Sequence, residues 1–153
     1  MSIGDRLKEL GLTLPPAPPA GGIYKPVVIA GNLAYVSGQP PVREDGSLIK
    51  GKVGTDLSLE EGQLAAKQTG LTMLATLKRE LGDLDRIGRL IKSLGMVNCL
   101  PDFEEQPQVI NGCSQLMLDV FGDDKGKGAR SAVGMTLPGN IAVEIEAVFE
   151  LIE

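Results

Sequence analysis

Hydrophobic periodicity changes twice along this chain, and that alternation limits its possible folds more than any other feature. Val27-Val-Ile-Ala30 and Leu33-Ala-Tyr-Val-Ser37 are β-branched or aromatic runs on either side of Gly31-Asn32, a dipeptide suited to a two-residue hairpin turn. Helical spacing follows. Ser58 and Glu61 form a capping box, and Glu60 and Glu61 place negative charge on the first turn, where the helix dipole favours it. This predicts a helix to about Leu81, closed by Gly82, with Leu64, Leu71, Leu74 and Ala75 on its apolar face and Lys67, Lys78 and Arg79 opposite. A second amphipathic helix is expected over Val109 to Phe121, ending near Gly122. The period then returns to two, predicting strands at Ser131 to Leu137 and Ile141 to Ile152, joined by Pro138-Gly139-Asn140 as a second hairpin. In the last strand Val143, Ile145, Ala147 and Phe149 alternate with Glu144, Glu146, Val148 and Glu150. The order of elements predicts an α+β fold, a mixed sheet with helices on one face.

Between the helices, Ile87, Leu90, Ile91 and Leu94 fit helical spacing, yet Ile87 to Val97 holds two glycines and no cap, so periodicity leaves that segment open. At the start, Ser2 to Leu10 reads as a short amphipathic helix stopped by Gly11. Leu14-Pro-Pro-Ala-Pro-Pro-Ala-Gly-Gly22 cannot continue it, because four prolines fix φ and remove backbone donors. That segment is expected to be an extended strap joining the terminal helix to the main body of a single domain, residues 1–22 forming an extension and 23–153 the core. Arg43 to Gly54 reads as a polar loop with room for a short strand at Ser47 to Ile49, and Asp123 to Gly128 as another loop.

Composition then narrows the chemistry. With 153 residues, no His and no Trp, catalytic triads using His, two-His zinc sites and imidazole bases are excluded within the chain. Neither a metal nor a cofactor is expected. Fifteen Lys and Arg against 20 Asp and Glu give a net charge of −5, and only five aromatics are present, so nucleic acid is not an expected partner. Gly122 to Gly128 imitates a phosphate loop but lacks the spacing and the strand-to-helix context. Cys99 and Cys113 form no C-x-x-C pair and read as buried thiols; no apolar run is long enough to span a membrane, and a cytoplasmic location is expected. Arg130, at the start of a strand, could grip a carboxylate in bidentate fashion, and Ser37-Gly38-Gln39 ends a strand with a hydroxyl and a glycine that admits a ligand.

Gly22-Ile-Tyr24, Leu33-Ala-Tyr-Val-Ser-Gly-Gln39, Gly128-Ala-Arg-Ser-Ala-Val133 and Val143-Glu-Ile-Glu-Ala147 occur in one order, and together they resemble the Rid family of reactive intermediate deaminases, also called YjgF. The resemblance covers Tyr24 to the C-terminus. It implies a chorismate-mutase-like mixed sheet with two long helices on one face, a homotrimer with clefts between subunits, and a strand at Ile87 to Val97. The implied activity is hydrolysis of 2-imino and 2-enamino acids to 2-keto acids and ammonia. Under it, Arg130 holds the substrate carboxylate, Glu144 orients water and relays protons, and Tyr24, Ser37 and Asn111 line the pocket. The alternative is a protein that binds or senses small carboxylates in the same cleft. Two departures stand out: Ala132 occupies the place of the family's pocket cysteine, and the N-terminal extension and the segment Leu100 to Asn111 lengthen the chain.

Overall fold

The computed structural model of the protein describes residues 1–152, and its helices and strands follow the two periods. Strands β1 (Val27–Ala30) and β2 (Leu33–Gln39) form the expected hairpin, with Gly31 at φ +61° in the turn. Helix α1 (Ile3–Glu9) is capped by the Ser2 hydroxyl, which accepts from the Asp5 amide. Helix α2 (Leu59–Leu81) opens on a capping box in which both reciprocal bonds form, and ends at Gly82, φ +86°. Helix α3 (Gln106–Lys125) starts three residues before the expected Val109; Gly122, at φ +91°, breaks it where the sequence predicts its end. Leu71, Leu74 and Ala75 are buried as expected, but Leu64 is exposed, because at that turn Ala65 and Ala66 face the core instead.

Ile87 to Asn98 is a strand, β3. Its pairing with β5 (Val143–Leu151) shifts register between Ile87 and Arg89 and again between Leu90 and Lys92. Those irregularities put buried Ile87 and Leu90 three residues apart, which imitates helical spacing in the sequence.

The second hairpin does not form. Strand β4 (Ala129–Met135) pairs in parallel with β3, α3 being the crossover, and β5 lies antiparallel between β2 and β3, giving the order β1-β2-β5-β3-β4. The turn at Pro138–Asn140, with Gly139 and Asn140 both at positive φ, carries the chain out of β4's plane of pairing. Val143, Ile145, Ala147 and Phe149 are buried, so the most apolar face available takes the central position; β4, exposed along most of its length, takes the edge. Ser47 to Ile49 forms no strand, only a bridge between Val42 and Leu48.

Helices α2 and α3 pack together on one face of the sheet. Phe149 fills the core with its ring 6.2 Å from that of Phe121. Among the described residues no helix covers the opposite face. Register places Val133, Met96 and Glu144 in one row across it, Ser131, Leu94 and Glu146 in the next, and Lys92, Val148, Tyr35 and Val28 in a third. Tyr35, Val28 and Val133 are 40–48% exposed there, a mostly apolar surface of the kind that copies of a chain bury against each other. Among the described residues no helix is long and apolar enough to cross a membrane.

The N-terminal extension packs against the core. Leu7 is buried, the Ile3 amide donates to Asp85 Oδ1 at 2.8 Å and Arg6 Nε to the Asp119 carbonyl at 2.7 Å.

Candidate active site

Pairing of β2 with β5 slips between Val36 and Gln39, leaving Ser37 and Gly38 in an irregular stretch beside Glu144 and Glu146. A cavity of about 680 Å³ opens there, walled by Ser37, Gly38, Glu144, Glu146 and Tyr24, with the strap residues Pro18 to Gly21 along one side. Gly38 is what makes room for Glu144: a Cβ on Gly38 would lie 2.0 Å from Glu144 Oε2. Half-buried, the Glu144 carboxyl is held above the usual glutamate range, first by burial and then by repulsion from Glu146. Among the described residues, none lining this cavity is cationic.

The hydroxyls on this side hold backbone. Ser37 Oγ donates to the Lys25 carbonyl at 2.7 Å, and the Gly21 amide donates to Tyr24 Oη at 3.0 Å. Gln39, buried beneath them, donates through Nε2 to the Ser37 carbonyl at 2.9 Å and accepts from Thr76 Oγ1 at 2.8 Å. The end of β2 is thereby pinned to α2, and Tyr24, half-exposed, keeps its O–H proton available to a ligand.

Arg130 lies elsewhere. Register aligns it with Ser93 on β3 and, across that strand, with Ala147 on β5, so its side chain is on the helix-facing side of the sheet and Glu144's is on the open side. One intervening strand, β3, and three register positions separate them. Arg130 Nη1 donates to Asn111 Oδ1 at 2.7 Å and to Ser114 Oγ at 3.1 Å, both on α3, leaving the rest of an exposed guanidinium free to pair. Ala132 stands on the same face of β4, and Cys113 is buried behind Arg130. Burial pushes the Cys113 thiol up to about 12, the nearby Arg130 charge only partly opposing it, so it is not a nucleophile.

The structure therefore brings Tyr24, Ser37 and Glu144 to one cavity and Arg130 and Asn111 to another place on the same chain. Two further contributors, Glu146 and Ser114, go beyond the residues the sequence points to, and the strap is expected there only as an addition able to reshape the cleft. Glu146 shares Glu144's face, a relation that strand period two already carries. Ser114 lies three residues beyond Asn111, the helical spacing that puts both under Arg130. The strap's place at the cavity carries no local signal, because it depends on where tertiary packing leads an extended segment.

A mixed sheet covered by two helices on one face, with its polar residues divided between an open face and an edge strand, defines a chorismate-mutase-like fold. Residues 4–144 match the family described as "YjgF/chorismate_mutase-like, putative endoribonuclease". The chain belongs to this family, the Rid or YjgF proteins. It is 41% identical over 150 residues to the Trypanosoma cruzi protein TCP17, covering 97% of this chain and 94% of that one. A crystal structure of an Agrobacterium tumefaciens protein of unknown function superposes with a TM-score of 0.89 at 45% identity, covering 99% of this chain and 94% of the other. A Shewanella oneidensis structure, titled a "putative endoribonuclease", gives a TM-score of 0.93 at 31% identity over 99% of this chain and 100% of its own. The family match begins at Gly4, so the N-terminal helix and strap lie within the shared fold.

Proposed function

We propose that the protein hydrolyses reactive 2-imino and 2-enamino acids to 2-keto acids and ammonia, in clefts formed between copies of itself in a homotrimer. The observation that carries this reading is the division of the polar residues. Glu144 and Glu146 make one half of a site acidic, and Arg130 presents a free guanidinium from the other side of the sheet. A 2-imino acid has the matching charges: a carboxylate for Arg130 of one copy and a protonated imine for the acidic half of the next. Asn111 and Ser114 take one guanidinium nitrogen and orient the remainder.

The iminium carbon is already electrophilic, so a positioned water suffices. As the C–O bond forms, Glu144 takes a proton from that water. It returns that proton to nitrogen; the C–N bond then breaks as the new hydroxyl gives its proton to the Glu144 carboxylate, so that ammonia leaves, the carbonyl forms and Glu144 passes the proton to the departing ammonia or to solvent. Burial and the Glu146 charge raise the Glu144 pKa above the usual glutamate range, which suits the carboxyl to both transfers. Tyr24 Oη can donate to the same water or to the substrate. RNA cleavage, the activity in the family's description, is not supported by this cavity: its two glutamates and the chain's net charge of −5 repel a phosphate backbone.

The test is release of 2-keto acid from imine generated by an amino-acid oxidase. The wild type is expected to accelerate release, and Arg130→Ala to lose about a hundredfold or more of that rate, as when a charge-assisted contact to the reacting molecule is removed. Full rate in Arg130→Ala overturns the assignment. Glu144→Gln is expected to abolish turnover while sparing affinity for 2-keto acid, which separates catalysis from binding or sensing in the same cleft.

A further inference from the structure

The N-terminal strap runs along the cavity that holds Glu144, and it is fixed in place. Arg79 on α2 donates through Nη1 to the Ala17 carbonyl at 3.3 Å and the Pro18 carbonyl at 2.9 Å, and its Nε donates to Glu80 at 2.8 Å. Downstream, the Gly21 amide is bonded to Tyr24 Oη, and Ser37 Oγ bonds the next carbonyl, that of Lys25. Between these ties lie Pro18, Pro19 and Ala20, which line the cavity together with Pro26, Pro40 and Pro138. Pro18, Pro19 and Ala20 make the strap an apolar wall with little conformational freedom to lose when a ligand packs on it, and three further proline rings line the cavity.

We propose that this wall is the side-chain subsite of the cleft and selects 2-imino acids with an uncharged apolar side chain larger than methyl. The inference rests on the deaminase reading for the orientation of the substrate. C2 of a 2-imino acid has three substituents. With the carboxylate on the neighbouring copy's Arg130 and the imine nitrogen at Glu144, the third points to the remaining wall, the strap. On one chain the strap forms the apolar side of the cavity, whatever the neighbouring copy adds opposite it. The cavity's charged lining is Glu144 and Glu146, which opposes an acidic side chain.

Binding of 2-keto acids, measured by calorimetry, tests this without requiring turnover. The ligands are 2-oxopropanoate, 2-oxo-3-phenylpropanoate and 2-oxobutanedioate. The wild type should bind the phenyl acid about tenfold or more tightly than the methyl acid, the scale on which apolar pockets discriminate, and the dicarboxylate least tightly of all. Ala20→Trp, a change at an exposed strap residue, fills the subsite. It should weaken the phenyl acid about tenfold and the methyl acid less than about twofold. Arg79→Ala unfastens the strap without touching the cavity and should lower the phenyl-to-methyl ratio, with Arg79→Lys restoring part of it. Equal loss for both ligands in Ala20→Trp, no loss for either, or a dicarboxylate bound as tightly as the phenyl acid overturns the subsite. Selective binding with no keto acid released from the imine contradicts the deaminase reading and leaves the subsite standing. Turnover without selectivity does the reverse.

Discussion

Glu144 folds over Gly38 so closely that a methyl group on Gly38 would stand 2.0 Å from Glu144 Oε2 and 2.9 Å from its Cδ. The atoms displaced would be the far end of a flexible side chain rather than backbone, so Gly38→Ala should keep the fold and move the carboxylate. Keto-acid release is expected to fall about a hundredfold, the scale on which misplacing a reacting group by an ångström acts. Thermal unfolding should remain close to that of the wild type.

Burial and Glu146 both raise the Glu144 pKa above its ordinary 4.5. The acidic limb of kcat/KM against pH should therefore lie above 4.5 and move down in Glu146→Gln, because the like charge is gone. Stability has the opposite sign. The folded chain holds the Glu144 proton more tightly than the unfolded chain, so stability falls as pH rises from the unfolded pKa through the raised one. Glu144→Gln should accordingly melt higher than the wild type at pH 8 and no higher at pH 4.

At the other half-site, Asn111 Oδ1 accepts from Arg130 Nη1 at 2.7 Å. Asn111→Ala should weaken 2-keto acid binding about threefold to tenfold, the worth of one orienting hydrogen bond. Asn111→Asp should weaken it more, although the aspartate can accept the same bond, because its charge satisfies the guanidinium that the ligand needs. Titration calorimetry of both variants with one keto acid gives the order. A stronger grip in Asn111→Asp would contradict the role given to Arg130.

The packing of α2 on α3 depends on Gly112, where a Cβ would lie 2.0 Å from the Gln63 carbonyl oxygen. Here the opposing atom is backbone, so the helices must separate. Gly112→Ala should cost about 1–3 kcal/mol, the usual penalty of overpacking, in urea unfolding.

Elements with strong local chemistry were legible in the sequence. The Ser58 and Glu61 capping box, the Gly31-Asn32 turn and the glycine stops at Gly11 and Gly82 all fall where the sequence puts them. What failed depended on pairing. Bulges in β3 erased its period of two, and no local signal says that β5 leaves β4 to lie between β2 and β3. The site divides in the same way. Tyr24, Ser37 and Glu144 share a cavity, whereas the sequence order of Arg130 and Glu144, only fourteen positions apart, hides their placement on opposite faces of the sheet. That separation follows from the parallel crossover that carries β4 to the far edge.

The most direct test of a site shared between copies is to co-express two inactive variants, Arg130→Ala and Glu144→Gln, in one assembly. Each supplies intact the group that the other lacks. In a randomly mixed trimer about one cleft in four would carry both Arg130 and Glu144, so keto-acid release should recover to about a quarter of the wild-type rate. Mixed assemblies that remain as inactive as either variant alone would contradict the shared cleft.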